Sequence, residues 1–214
     1  FERLFGARPR TAVVPNGCDT PKDREFTPPS EDHRIVYAGQ LYPWKGVDVL
    51  VQAFARLSKG ELVIVGGLKG ESDFDRIQGL ARSLDLGDRV KFLGSLPQKD
   101  VARELARATV VVAPFLKSAM TSEHTSPIKA FEAMAAGRPL LISDTDASRK
   151  IVEDGRTGLV VPPGNVEAWS QALERVLSDR ALQMSLARAA FEKATQYSWA
   201  RRAERLEDFL GTLA

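Results

Sequence analysis

RIVYAGQLYPWKGVDVLVQAFARLSKGELVIVGG, residues 34–67, sets two short apolar runs, RIVYA and ELVIV, on either side of an amphipathic stretch. Runs of five rich in valine and isoleucine, closed by Gly39 and by Gly66-Gly67, read as strands buried on both faces. Between them, residues 45–58 place apolar side chains at helical spacing. Strand, helix and strand in that order make the βαβ unit of a parallel sheet. The same alternation extends outward from this unit. Further strand candidates fall at 11–14, 89–93, 109–113, 139–143 and 158–161, and further helix candidates at 72–86, 98–108, 127–136 and 146–153. From about residue 165 the pattern becomes purely helical, in segments 165–178, 180–195 and 198–212. The fold class is therefore α/β, a doubly wound parallel sheet of about six strands with a helical C-terminal tail. In the last segment Trp199, Ala203, Leu206 and Leu210 share one helical face, an apolar stripe that needs a docking surface.

Composition narrows the function. Of 214 residues 43% are apolar, enough for a sizeable core, and Lys+Arg 30 against Asp+Glu 28 leaves a net charge of +2. A field that weak gives no reason to expect nucleic acid as the partner, so any anion must be held locally. A single cysteine, Cys18, cannot form an intramolecular disulfide, and with two histidines the chain offers no zinc cluster. No metal or other cofactor is expected. No apolar run approaches the roughly 20 residues of a membrane helix, and no signal pattern opens the chain. The expected location is cytoplasmic. Beginning at Phe1 without a methionine, the sequence reads as cut from something longer.

In open α/β sheets ligands bind beyond the carboxyl ends of the strands, so the loops there decide function. After the run at 34–38 come Gly39, Gln40 and then Lys45, which falls in the first turn of the following helix. A strand-end glycine lets a ligand reach the backbone, and a lysine beside helix-start amides suits a diphosphate. The alternative for the same residues is a solvated helix start behind a packed Pro43-Trp44 turn. Gly66-Gly67 lacks the spacing of a dinucleotide fingerprint and reads as a tight turn with positive φ. Gly94, Ser95 and Leu96 end another strand and could pack against a flat base. In EHTSPIKAFEAMAAGRP, residues 123–139, Ser126 reads as an N-cap, Pro127 as the first helical position and Lys129 as the third. Ile128, Phe131 and Ala135 would form the buried stripe. Lys129 opposes the helix dipole, which a bound anion would explain, or it pairs with Glu132 on a solvated face. Glu132 can accept two hydrogen bonds from a vicinal diol such as ribose.

Taken in order, several segments resemble the donor-binding, C-terminal half of the group-one (family four) glycosyltransferases of GT-B architecture. They are Val14-Pro15-Asn16-Gly17-Cys18-Asp19, Tyr37-Ala38-Gly39 through Lys45-Gly46, Val63-Ile64-Val65-Gly66, Val90-Lys91-Phe92-Leu93-Gly94 and Phe131-Glu132-Ala133-Met134-Ala135-Ala136-Gly137-Arg138-Pro139. Gly155-Arg156-Thr157-Gly158-Leu159-Val160-Val161 and Tyr197-Ser198-Trp199 resemble the closing segments. The resemblance implies a Rossmann-like domain that binds a nucleotide-sugar donor and takes part in retaining, metal-independent transfer to an unknown acceptor. Gly39, Gln40, Lys45, Thr125, Ser126 and Lys129 would hold the diphosphate, Glu132 the ribose, Glu123 and His124 the sugar, and Gly94, Ser95 and Leu96 the base. No catalytic residue is named, because the acceptor half is missing; that half would be the partner, and any peripheral membrane association would run through it.

Two positions depart from the family pattern. Gln40 stands where arginine is common, and His124 stands where a glutamate is usual, with seven residues between it and Glu132. A non-catalytic nucleotide-sugar-binding module is thus the alternative to an enzyme. The expected division is a linker and first strand over 1–14, a donor-binding domain over 15–195, and a C-terminal helix over 196–214 that docks on the missing N-terminal domain. A chain so divided should be inactive alone.

Overall fold

A computed structural model describes residues 11–20, 25–117 and 127–212. Six strands form its sheet: β1 (Arg34–Ala38), β2 (Glu61–Val65), β3 (Val90–Gly94), β4 (Val110–Ala113), β5 (Leu140–Ser143) and β6 (Leu159–Val161). All neighbours pair in parallel, in the order β3-β2-β1-β4-β5-β6. The helices are α1 (Val47–Ala55), α2 (Ser72–Ser83), α3 (Gln98–Ala106), α4 (Ile128–Ala135), α5 (Asp146–Arg149), α6 (Val166–Ser178), α7 (Arg180–Lys193) and α8 (Trp199–Gly211).

Alternate residues of every strand except β3, whose Lys91 and Leu93 are exposed, feed two cores. Ile35, Tyr37, Leu62, Ile64, Val110 and Val112 meet α1, α2 and α6 on one face, through Leu50, Phe54, Ile77 and the fully buried Trp169. Val36, Ala38, Val63, Val65, Val111 and Ile142 meet α3 and α4 on the other, through Leu105, Phe131 and Met134. This two-sided burial is why the strands read as continuous apolar runs rather than alternating ones. Burial also decides the stability of α1. Its N-cap is Gly46, with no side-chain bond to the free amides, a shortfall of about a few tenths of a kcal/mol. The helix buries Val47, Leu50, Val51 and Phe54, and each such side chain contributes about 1.5–3 kcal/mol.

One expected strand is absent. Residues 11–14 pair with nothing in the sheet, and Val13 is 89% exposed. A β-branched run needs a neighbouring edge, and this one lies instead along α8, where Arg202 Nη1 donates to the Val14 carbonyl at 2.8 Å. Just beyond it, Cys18 N–H donates to the Tyr197 carbonyl at 2.8 Å. The helix expected over 146–153 stops at Arg149. Ile151 and Val152 are buried as part of the turn that follows.

Candidate functional site

The sheet reverses its winding between β1 and β4. From β1 the chain winds outward through β2 and β3; on the other side lie β4, β5 and β6. The loops leaving the two central strands therefore diverge and open a crevice, the switch point where α/β sheets bind ligands.

Backbone contacts fix the floor of that crevice. Gly39 N–H donates to the Val65 carbonyl at 2.9 Å, and Gly66 N–H to the Gly94 carbonyl at 2.7 Å. A Cβ on Gly66, whose φ is +121°, would lie 2.0 Å from the Gly39 carbonyl oxygen. Glycine is thus required for the approach of two strand ends, which bears out the tight-turn reading of Gly66-Gly67. Tyr37 Oη donates to the Gln40 carbonyl at 2.5 Å, shaping the turn after β1, while the Gln40 residue itself is exposed.

The loop from 40 to 46 departs from expectation. Lys45 is not in the first turn of α1: Pro43–Lys45 form a separate 3-10 turn, and Gly46, at φ 66°, breaks it from the helix. The left-handed glycine is enforced by close packing, since a Cβ there would sit 1.9 Å from the Pro114 carbonyl oxygen. Leu116 N–H donates to the Trp44 carbonyl at 3.0 Å. The loops after β1 and β4 are thereby joined, and the Lys45 side chain turns into the crevice. Beside it, Tyr42 and Trp44 stack with ring centroids 4.8 Å apart, both partly exposed.

Lys45 lines a cavity of about 230 Å³ with Gly39, Ala113, Phe115, Ile128 and Lys129 among its walls. Its Nζ lies 5.0 Å from the centre of the Phe115 ring. Burial holds its pKa below the ordinary 10.5, and among the described residues no carboxylate lies within ion-pair distance of it. A half-buried cation with no carboxylate partner among the described residues, at the switch point, is the kind of group that suits an anion.

Helix α4 supplies the opposite wall. Pro127 occupies the cap position and the helix begins at Ile128, one residue later than the sequence suggests. The buried face also differs from expectation. It comprises Ala130, Phe131, Ala133 and Met134, whereas Ile128 is 39% exposed and Ala135 only partly buried. Phe131 turns inward to meet Tyr197, ring centroids 4.6 Å apart, which leaves Ile128 on the cavity side.

Lys129 Nζ stands 2.7 Å from Glu132 Oε2, the ion pair foreseen as one of two readings. Glu132 Oε1 accepts from Gln98 Nε2 at 2.6 Å. Gln98 had no distinguishing sequence signal, being one polar residue among several at the start of α3. Gly94, at φ 66°, and Leu96, partly buried, precede it, with Ser95 exposed between them. Those three do not line the cavity, and neither do Gln98 and Glu132, which stand behind Lys129 on its wall. Glu123, His124, Thr125 and Ser126 lie outside the described residues.

A larger cleft of about 510 Å³ runs between the turn before β6 and α7. Glu153 there meets both Lys193 and Arg156 at 2.6 Å. The remaining cation on its wall, Lys150, is exposed, unlike the half-buried Lys45. Among the described residues no group of three or more His, Cys, Asp or Glu side chains could hold a metal ion, and no helix is long and apolar enough to cross a membrane.

Fold and crevice together define a Rossmann-like domain of the kind that forms one half of a GT-B glycosyltransferase. Residues 19–193 match the model for glycosyl transferases group 1, and the chain belongs to that family. It is similar to D-inositol 3-phosphate glycosyltransferases of Corynebacterium aurimucosum, 31% identical over 192 residues, and of Mycobacteroides abscessus, 32% over 209. The matches cover 86% and 92% of this chain but 44% and 45% of those proteins, so the chain spans about half their length. Among solved structures, sucrose-phosphate synthase of Thermosynechococcus elongatus superposes with a TM-score of 0.83 at 28% identity, covering 99% of this chain and 55% of that one. Anabaena HepE in complex with UDP shares the fold at a TM-score of 0.77 and 23% identity, over 85% and 49%.

Proposed function

We propose that this chain is the donor-binding half of a glycosyltransferase that moves a sugar from a nucleoside diphosphate to an acceptor bound by a second domain. The observation that carries the reading is the half-buried Lys45 ammonium, without a carboxylate partner among the described residues, at the β1/β4 switch point. Lys45 and Lys129 would hold the diphosphate with Gly39, Gln40 and the chain at Thr125 and Ser126. Glu132 would take the ribose hydroxyls, Gly94, Ser95 and Leu96 the base, and Glu123 and His124 the sugar. As the glycosidic bond breaks, negative charge grows on the leaving diphosphate, and a cation already desolvated beside it stabilises that charge most where it is greatest. Transfer is proposed to be retaining and to use these charges in place of a metal.

Helix α8 supports the two-domain part of this reading. None of its residues is buried, and Trp199, Leu206 and Leu210 are 45%, 38% and 59% exposed. We assign that stripe to the N-terminal domain, with residues 15–195 as the donor domain proper. The functional test joins this chain to the N-terminal half of the Mycobacteroides abscessus relative and assays transfer from UDP-, GDP- and ADP-sugars, with inositol 3-phosphate among the acceptors. Transfer lost in Lys45→Ala supports the proposal. Donor binding without transfer in any such chimera, or in the chain's own longer form, favours the second reading, a non-catalytic binding module, for which the neutral Gln40 is the motive.

A further inference from the structure

Gln98 is the first residue of α3, immediately after Pro97 and the Gly94–Leu96 turn. It reaches across to α4, where its Nε2 bonds Glu132 Oε1 at 2.6 Å. A glutamate on a helix surface ordinarily samples several rotamers, and ordering it for a ligand costs affinity. Here that ordering is done beforehand. Lys129 stands against Oε2 and Gln98 against Oε1, while the Glu132 side chain is only 15% exposed.

Counting acceptor positions shows what remains. A carboxylate offers about four lone-pair sites. Gln98 fills one on Oε1, and Lys129 approaches Oε2 without an aligned hydrogen bond to that buried atom. Oε2 is buried against Lys129, so one position on Oε1 remains for a ribose hydroxyl.

We propose that Gln98 is a positioning residue that makes Glu132 a ribose-specific acceptor, so that the site prefers ribonucleoside diphosphates to their 2′,3′-dideoxy counterparts. The inference rests on the donor-site reading above. It adds a residue that acts through Glu132 and ties ribose recognition to the turn expected to flank the base.

The test compares binding of UDP, GDP and ADP with that of their dideoxy forms, by calorimetry, in the wild type, Gln98→Leu and Gln98→Glu. A hydrogen bond to a charged acceptor should give the wild type about a 10- to 100-fold preference for the ribose form. In Gln98→Leu that preference should shrink about tenfold while dideoxy affinity changes less than twofold. In Gln98→Glu it should be lost at pH 8 and return by pH 5, where one proton shared between the two carboxyls restores the donor. Gln98 is exposed, so both variants should fold, and melting temperatures verify this. Equal weakening of both nucleotide forms by Gln98→Leu would reduce the residue to a structural role. Tighter ribose binding would make it a plug, and a Gln98→Glu preference that does not change from pH 5 to 8 would also overturn the proposal. If nucleotide binds in a Lys45-dependent way but none of these selectivity changes occurs, only this inference fails. If no nucleotide binds the wild type, the donor-site reading fails with it.

Discussion

Replacing Lys45 by methionine separates binding from folding. The substitution keeps the length and apolar stem of the side chain over Phe115 and removes only the charge. In the free protein that charge stands near an aromatic ring at 5.0 Å, with no carboxylate partner among the described residues. A partly exposed cation–π contact contributes about 0.5–1 kcal/mol, and its loss is offset by relief of the desolvation that lowers the lysine pKa. Net stability should change by less than about 1 kcal/mol, a Tm shift of about 2–4 °C at most for a chain this size. Binding should respond far more. A hydrogen bond between charged groups nets about 1.5–3 kcal/mol, and two unit charges 4 Å apart near a protein surface interact by about 4 kcal/mol. A loss of about 2–4 kcal/mol weakens nucleoside diphosphate binding by about 30- to 1000-fold. Calorimetric titration gives the affinity and thermal unfolding the stability. Affinity unchanged within threefold would remove Lys45 from the phosphate site, and a Tm drop beyond about 6 °C would mean that the charge holds the fold together.

The titration of Lys45 should appear in the pH dependence of binding. Its folded-state pKa lies below 10.5, and a bound anion raises it, so affinity should stay level at neutral pH and fall as pH rises through the lowered pKa. Lys45→Arg, which keeps its charge, should postpone the fall, and identical profiles would refute the assignment. Across the same window the unfolded chain binds the extra proton, so the stability deficit of wild type relative to Lys45→Met, set by the buried charge, should diminish with rising pH. Gly66→Ala forces a Cβ to within 2.0 Å of the Gly39 carbonyl oxygen at φ +121° and should cost about 3 kcal/mol or more in urea unfolding. Gly70→Ala, at φ +91° with open space around it, is the control and should cost about 1 kcal/mol. Arg138 is 2% exposed, its Nε and Nη1 lack hydrogen-bond partners, and burial, helped by Arg180, pushes its pKa down to about 10. Arg138→Met should therefore raise the Tm, by about 1–4 kcal/mol of stability, and a lower Tm would show that the guanidinium contributes more than it costs.

Six strands could be located from sequence to within a residue because each is a short β-branched run closed by glycine, proline or a polar residue. The run at 11–14 has that composition too, but composition cannot say whether a sheet edge is free to receive it. Helix ends were less legible where backbone packing sets them. Nothing local announces that Gly46 must turn left-handed beneath Pro114, and so the sequence reads Lys45 into a helix it only precedes. The stripe expected on α4 holds at Phe131, which packs on Tyr197, and fails at Ile128, which lines the cavity. Within the site, glycines and charged residues in strand-end loops could be found because topology fixes where such loops converge. Gln98 could not, since its role depends on the juxtaposition of two helix starts 34 positions apart.

The central claim is that phosphate binds at Lys45. Crystals of the chain grown with the nucleoside diphosphate that binds it most tightly would locate the phosphorus atoms directly. The account predicts a phosphate oxygen about 3 Å from Lys45 Nζ, beyond the ends of β1 and β4, with the ribose at Glu132. Diphosphate density in the cleft beside Lys193, or anywhere that leaves Lys45 uncontacted, would contradict it.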